Sequence, residues 1–293
     1  MFSWRDIYAH FDPVAFNLFG ISVHWYGIAY AIALILTLYI GKFFISKSPK
    51  FFTIDAKTFE NYFITIEIGV ILGARLGYVL IYDPNSTFYL LHPWQIFNPF
   101  DSNGSFIGIS GMSYHGGVIG LLIASFLFCK FKKISQLMAL DLVAISVPLA
   151  YVFGRIGNFL NQELFGRQIG SRSPLEFLGI LVNNKLVYPS QLIEAFLEGI
   201  CIFIIIFFVW KKIAFKSQNK YGILIALYGI LYAFMRFVAE FFREPDPQLG
   251  FYGVFSMGQI LSLLMALGGV IFLIAVAKRT KNKAKAKATF VKK

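Results

Sequence analysis

Long apolar runs, broken by short basic or Gly/Pro-rich stretches, dominate the chain. Seven of them approach the roughly 20 residues that a helix needs to cross a hydrocarbon core of about 30 Å: residues 18–44, 59–82, 113–130, 134–160, 189–210, 221–242 and 251–277. The third is the shortest, and an alternating ladder of spans depends on it. Between the runs, lysine and arginine are unevenly shared. Counting alternate connections and the tail puts 19 basic residues on one side, in groups such as Lys42, Lys47, Lys50 and Lys57. The other side has five: Arg5, Arg167, Arg172, Lys185 and Arg243. Cytoplasmic loops carry the basic excess, so the pattern predicts an outside amino terminus and a cytoplasmic carboxyl terminus.

Composition agrees with the pattern. Hydrophobic residues make up 57% and charged residues 14% of 293, with a mean hydropathy of +0.67, against about 25% charged in soluble domains. The expected class is therefore an all-α integral membrane protein of seven transmembrane helices with irregular extracytoplasmic loops. The net charge of +12 is accounted for by topology, and no nucleic-acid role is inferred from it. Cys129 and Cys201 stand singly in apolar runs and read as small core residues; no metal or other cofactor is expected. The first 17 residues hold Asp6 and Asp12 and lack a basic start followed by a short apolar core, so no cleavable signal peptide is expected.

The loop 83–112 carries Gly104, Gly108 and Gly111, with Trp94, Phe97 and Phe100 suited to a membrane interface. Residues 164–188 are long enough for a small extracytoplasmic cap. One membrane domain over residues 1–277 is expected, followed by a disordered basic tail, 278–293, drawn to anionic lipid.

Polar groups inside the spans are where function is sought, because ionisable side chains in hydrocarbon are costly. Arg75, Arg155 and Arg236 each fall late in an outward-running span, while Tyr26 and His115 fall early in inward-running ones. All five are predicted to lie toward the outer leaflet. Helical spacing pairs Arg155 with Asn158, Arg236 with Glu240, and Glu240 with Arg243. Glu67 and Asp141 read as structural. The outer cluster reads as functional, because its basic groups outnumber what pairing alone requires. Guanidinium groups bind phosphate through bidentate hydrogen bonds, and a phospholipid headgroup is the phosphate at that depth. His115, in S-Y-H-G-G, is the best candidate proton acceptor; His24, beside Trp25, reads as interfacial packing.

At these residues the sequence resembles the prolipoprotein diacylglyceryl transferases. The segment G-R-I-G-N-F-L-N-Q-E-L-F-G from Gly154 to Gly166 is similar to that family's signature. H-W-Y-G from His24, G-A-R-L-G-Y from Gly73, Y-H-G-G from Tyr114 and R-F-V-A-E-F-F-R-E-P-D from Arg236 accompany it in the expected order. P-S-Q-L-I-E from Pro189 departs from the family at Ile193, where a tyrosine is expected. The resemblance implies transfer of the diacylglyceryl group of phosphatidylglycerol to the thiol of a prolipoprotein's lipobox cysteine, on the outer face of the bacterial inner membrane, with glycerol 1-phosphate leaving. It further implies catalytic roles for His115, as base or thiol-orienting group, and for Arg155 and Arg236, as phosphate ligands, with Glu240 orienting Arg236. Tyr26, Asn158, Asn161 and Glu163 would shape the headgroup site. An arginine-organised water is the rival to His115 as proton acceptor. Two other readings compete with a transferase: a lipid or anion carrier, which would need polar positions continuing into the cytoplasmic halves, and a sensory seven-helix protein. A retinal-type receptor would want a lysine in the last span, and residues 251–277 have none.

Overall fold

The structure, a computed structural model, describes residues 3–18, 21–100, 104, 111–170, 173–214, 220–245 and 251–291. The parts expected of Gly108, Arg172, Lys216, Asp246, Lys292 and Lys293 lie outside these residues. Among the described residues the longer helices are α1 Trp25–Lys47, α2 Ala56–Ile81, α3 Tyr114–Lys132, α4 Gln136–Leu160, α5 Ser190–Ile213, α6 Ile223–Ala239 and α7 Met257–Val291. Among the described residues, six are long and apolar enough to cross a membrane; α6 is apolar but shorter. Its 17 residues make about 25 Å of helix at about 1.5 Å per residue.

Three of the expected boundaries shift for physical reasons. The first span begins at Trp25, because the preceding apolar residues form an antiparallel hairpin of β1 Val14–Leu18 and β2 Ile21–His24, with Ser22 Oγ donating to Asn17 Oδ1 at 2.8 Å. Likewise the last span begins at Met257, after a two-residue-strand hairpin, β5 Phe251–Tyr252 and β6 Phe255–Ser256. A reciprocal cap starts α7: Gln259 N donates to Ser256 Oγ at 3.2 Å, and Ser256 N donates to Gln259 Oε1 at 3.0 Å. At its other end α7 does not stop with the hydrophobic stretch but continues through the lysine-rich segment to Val291. Alternating Lys and Ala are good helix formers, and a helix already nucleated upstream propagates into them. The disordered tail expected from composition is therefore replaced by helix.

Packing divides the chain into two compact units. One comprises Ile54–Ala139, the other Met1–Thr53 with Leu140–Lys293. In the smaller unit, α2 and α3 approach through glycines. A Cβ on Gly73 would strike the carbonyl of Gly116 and sit 2.8 Å from Gly120 Cα, and one on Gly120 would strike the carbonyl of Gly69. Small residues are what allow helices in lipid to pack backbone to backbone. Arg75 is buried there; its Nε donates to the Ile96 carbonyl at 2.6 Å and its Nη1 to that of Gly111 at 3.3 Å. Short helical turns at Ser86–Leu91 and Pro93–Phe97 follow α2, with Trp94 and Phe100 exposed.

In the larger unit, Asp141 is completely buried and caps α6. It accepts from Gly222 N at 2.6 Å and from Ile225 N at 2.9 Å, satisfying amides that a helix start leaves open. Gly222 is needed at that point because its φ is +95°. Asp141 is thus structural, as its position suggests. At the opposite end of α4, residues 164–170 and 173–188 fold into a small cap around an antiparallel pair, β3 Ile180–Val182 and β4 Lys185–Val187. Phe159, Ile180 and Val187 form its buried centre, and Ile7 and Tyr8 of the amino-terminal segment pack on it. Burial pushes the Tyr8 phenol above its ordinary pKa.

Candidate active site

The polar cluster is assembled from one end of three helices. Arg155 stands one turn and a half before the end of α4, Arg236 in the last turn of α6, and Glu194 at the start of α5. Glu194 is fully buried, and its Oε2 lies 3.0 Å from both Arg155 Nη2 and Arg236 Nη1. Arginines far apart in sequence are thereby tied to one oxygen. Arg243 Nη1 reaches the other oxygen, Oε1, at 3.7 Å.

A second carboxylate stands beside the first. From Ala195 to Cys201, α5 is π-helical, a wider turn that often accompanies functional sites. Glu198 projects from it, fully buried, with Oε1 at 3.6 Å from Arg236 Nη1. Its other oxygen accepts the Tyr151 hydroxyl, while Tyr151 Oη accepts from Arg155 Nε at 2.6 Å. Gly199 sits where α5 crosses α4: a Cβ there would strike Val152 and lie 3.1 Å from the Pro148 carbonyl. Glu240 completes the set. It takes Arg236 Nη2 at 2.5 Å on Oε1 and Ser256 Oγ at 2.8 Å on Oε2, and Gly258 leaves room for it at the start of α7. The turn after α6 is pinned by Arg167, which donates to the carbonyls of Arg243 at 2.8 Å and Glu240 at 2.9 Å.

The remaining expected residues are placed as follows. Asn158 Oδ1 is 3.4 Å from Arg155 Nη1, and its Nδ2 donates to Glu163 Oε1 at 2.8 Å. Glu163 is presented by a turn in which Gln162 and Leu164 both have positive φ, 55° and 58°, a conformation costly for such residues and held here by surrounding bonds. Its carbonyl accepts from Gln191 Nε2. Tyr26 meets the same stretch of α4: a Cβ on Gly157 would lie 3.3 Å from the Tyr26 ring. Asn161 is half-buried and forms no side-chain hydrogen bond among the described residues. His115 belongs to the other unit, in the first turn of α3, where it is exposed, edge-on to Tyr114 at 5.7 Å.

One sequence argument is overturned. Cations do not outnumber their partners in this cluster: Arg155, Arg236 and Arg243 face Glu194, Glu198 and Glu240. Near-neutrality lowers the cost of keeping guanidinium groups away from water. Glu198, Tyr151 and Arg167 were not among the expected site residues, and Glu194 entered only as the last letter of P-S-Q-L-I-E. Two carboxylates within an otherwise apolar span are the signal that singles out Glu194 and Glu198. No three His, Cys, Asp or Glu side chains among the described residues are grouped as a metal site needs.

A family model for prolipoprotein diacylglyceryl transferase matches residues 13–275. The chain belongs to that family. A phosphatidylglycerol–prolipoprotein diacylglyceryl transferase of Helicobacter pylori strain J99 is 56% identical over 284 residues, covering 96% of this chain and 99% of the relative. Similar proteins of the same name come from Helicobacter acinonychis, 54% identical with 96% and 99% covered, and Campylobacter hominis, 54% identical with 96% and 97% covered. Family membership makes the chain a transferase of lipoprotein biosynthesis, and the apolar helices place it in a membrane. The arginine-carboxylate cluster lies within the matched residues, as does His115.

Proposed function

We propose that this protein transfers the diacylglyceryl group of phosphatidylglycerol to the lipobox cysteine of a prolipoprotein, releasing glycerol 1-phosphate, at the outer leaflet of the bacterial inner membrane. In this reading the thiol sulfur forms a bond to the glyceryl carbon that carries the phosphate. The carbon–oxygen bond to phosphate breaks, and its electron pair leaves on the phosphate oxygen. Residues 1–277 form the catalytic domain, with α6 as the shorter sixth of seven spans. The amino terminus is outside and the basic segment 278–293 is cytoplasmic, consistent with the uneven lysine distribution.

The observation that carries the reading is the convergence of Arg155 and Arg236, from separate helices, on one buried carboxylate oxygen at 3.0 Å. Donors fixed beforehand stabilise charge that develops in the transition state without reorganisation at the moment of reaction. Charge grows on the departing phosphate, so both guanidinium groups act there through donors not committed to Glu194, Tyr151 and Glu240. Glu240 holds Arg236 in orientation, while Tyr26, Asn158, Asn161 and Glu163 line the headgroup side. His115 takes the thiol proton: a thiol with pKa near 8.5 is mostly protonated at neutral pH, and the thiolate is the nucleophile.

Purified protein mixed with phosphatidylglycerol vesicles and a precursor peptide bearing one lipobox cysteine tests this directly. Mass spectrometry should show the peptide gaining one diacylglyceryl group, and a Cys-to-Ser peptide should gain none. Lipid redistribution between leaflets without any gain of peptide mass would instead identify a carrier.

A further inference from the structure

Five side chains in the cluster close on themselves. Arg155 Nη2 meets Glu194 Oε2 at 3.0 Å, and the same oxygen meets Arg236 Nη1 at 3.0 Å. Arg236 Nη1 stands 3.6 Å from Glu198 Oε1. Glu198 Oε2 accepts the Tyr151 hydroxyl, and Tyr151 Oη accepts from Arg155 Nε at 2.6 Å. Glu194 ties the two arginines at one atom and Glu240 orients Arg236 through Nη2 at 2.5 Å, but the Arg155 plane has otherwise only the long contact to Asn158 Oδ1 at 3.4 Å. The path through Glu198 and Tyr151 supplies a second constraint.

We propose that Tyr151 and Glu198 act as a single positioning unit for this transfer: they fix the plane of Arg155 and keep it in register with Arg236, whose own plane Glu240 sets, so that the remaining donors point at the departing phosphate. The inference rests on the function proposed above and adds residues to it. Neither side chain touches the lipid in this account. Tyr151 holds Arg155 in two ways, since it accepts from Nε and its ring also lies under the guanidinium carbon at 4.9 Å. Glu198 is fully buried, which makes it a donor's partner within the cluster and not a ligand at the site's mouth. The π-helical segment Ala195–Cys201 gives it that direction, and the close approach of Gly199 to Pro148 and Val152 keeps the segment pressed to α4. A buried hydroxyl that bridges a cation and an anion cannot rotate without losing one partner, so it stiffens both.

Orientation errors of this kind are costly in rate: a displacement of about 1 Å can cost about 100-fold. Tyr151→Phe keeps the ring and removes the bridge. Its turnover number for thiol alkylation should fall on the order of 10- to 100-fold, with KM for phosphatidylglycerol unchanged, since an interaction that acts in the transition state lowers kcat and kcat/KM together. Glu198→Gln, whose amide oxygen still accepts the Tyr151 hydroxyl, should retain more activity than Tyr151→Phe. The double variant should fall no further than Tyr151→Phe alone, because members of one unit are not additive. The unfolding midpoint in detergent is recorded for each. Wild-type turnover in Tyr151→Phe, multiplying losses in the double variant, a change confined to KM, or activity loss that tracks loss of folding in both single variants would each overturn the proposal. Failure of the wild-type protein to add mass to the peptide would be a different result, removing the proposed reaction and this inference with it.

Discussion

Glu194→Gln is the sharpest test of what holds the larger unit together at its polar end. The substitution preserves shape and takes away one charge shared by Arg155 and Arg236 at 3.0 Å each. With charge centres about 4 Å apart and an effective dielectric near 20, each pair contributes about 4 kcal/mol of gross attraction. Burying the carboxylate at 0% exposure offsets several kcal/mol of that, and breaking the pair leaves Arg155 with no carboxylate partner while Arg236 keeps Glu240 and Glu198. The expected net loss is about 3–5 kcal/mol of stability. Arg5 and Glu176 provide the comparison within the same molecule. They are also 3.0 Å apart, but their side chains are 48% and 43% exposed, so Glu176→Gln should cost less than about 1 kcal/mol. Unfolding both variants in mixed micelles of increasing denaturing detergent, followed by tryptophan fluorescence, gives the two values against wild type. Equal losses from the buried and exposed substitutions would refute the claim that burial, and the sharing of one oxygen, gives Glu194 its effect.

Other consequences follow from single sites. His115→Gln and His115→Asn should lower peptide alkylation by about 100-fold or more if His115 takes the thiol proton; near-wild-type turnover removes it from that role and favours water organised by the arginines. Gly120→Ala should destabilise the smaller unit by about 1–3 kcal/mol, because the new Cβ meets the Gly69 carbonyl. Gly229→Ala in α6, where nothing lies within 4 Å, should instead hold or gain up to about 1 kcal/mol, and thermal midpoints compare the two. Asp141→Asn leaves one oxygen to serve two amides, one buried and one part-buried, so about 1–3 kcal/mol should be lost, with faster hydrogen exchange at Gly222 and Ile225.

How far the sequence reached depends on the range of the interaction concerned. Membrane class and the bodies of the spans follow from apolar run length, which is a local property. The ends were less legible because hydrophobicity does not distinguish a strand from a helix. Leu18, Ile21 and Val23 are apolar enough to open the first span, yet Asn17 and Ser22 pair across a hairpin and the helix starts only at Trp25. Their alternation with polar neighbours was the available clue. At α7 the error ran the other way. Composition alone makes a run of lysines look disordered, whereas helix propagates through Lys and Ala once begun.

Two contacts within one helix were legible in the site, and contacts between helices were not; Arg243, expected beside Glu240, lies 3.7 Å from Glu194 of α5. The spacings of Arg155 to Asn158 and Arg236 to Glu240 foretold their pairing, and both pairs form. Glu194 and Glu198 sit on a third helix, and no spacing rule relates them to either arginine. What the sequence did offer was their cost: two carboxylates inside α5 demand partners, and the same logic applied to Arg155 and Arg236 would have matched the four. That matching changes the chemistry. An arginine cluster in excess would hold any phosphate strongly, ground state included, and so would slow release of glycerol 1-phosphate. Under the proposed reaction, one already balanced by buried carboxylates would offer only directed donors, which would favour the moment when charge accumulates on the departing oxygen. Balance and orientation, more than net positive charge, are what this end of the bundle supplies.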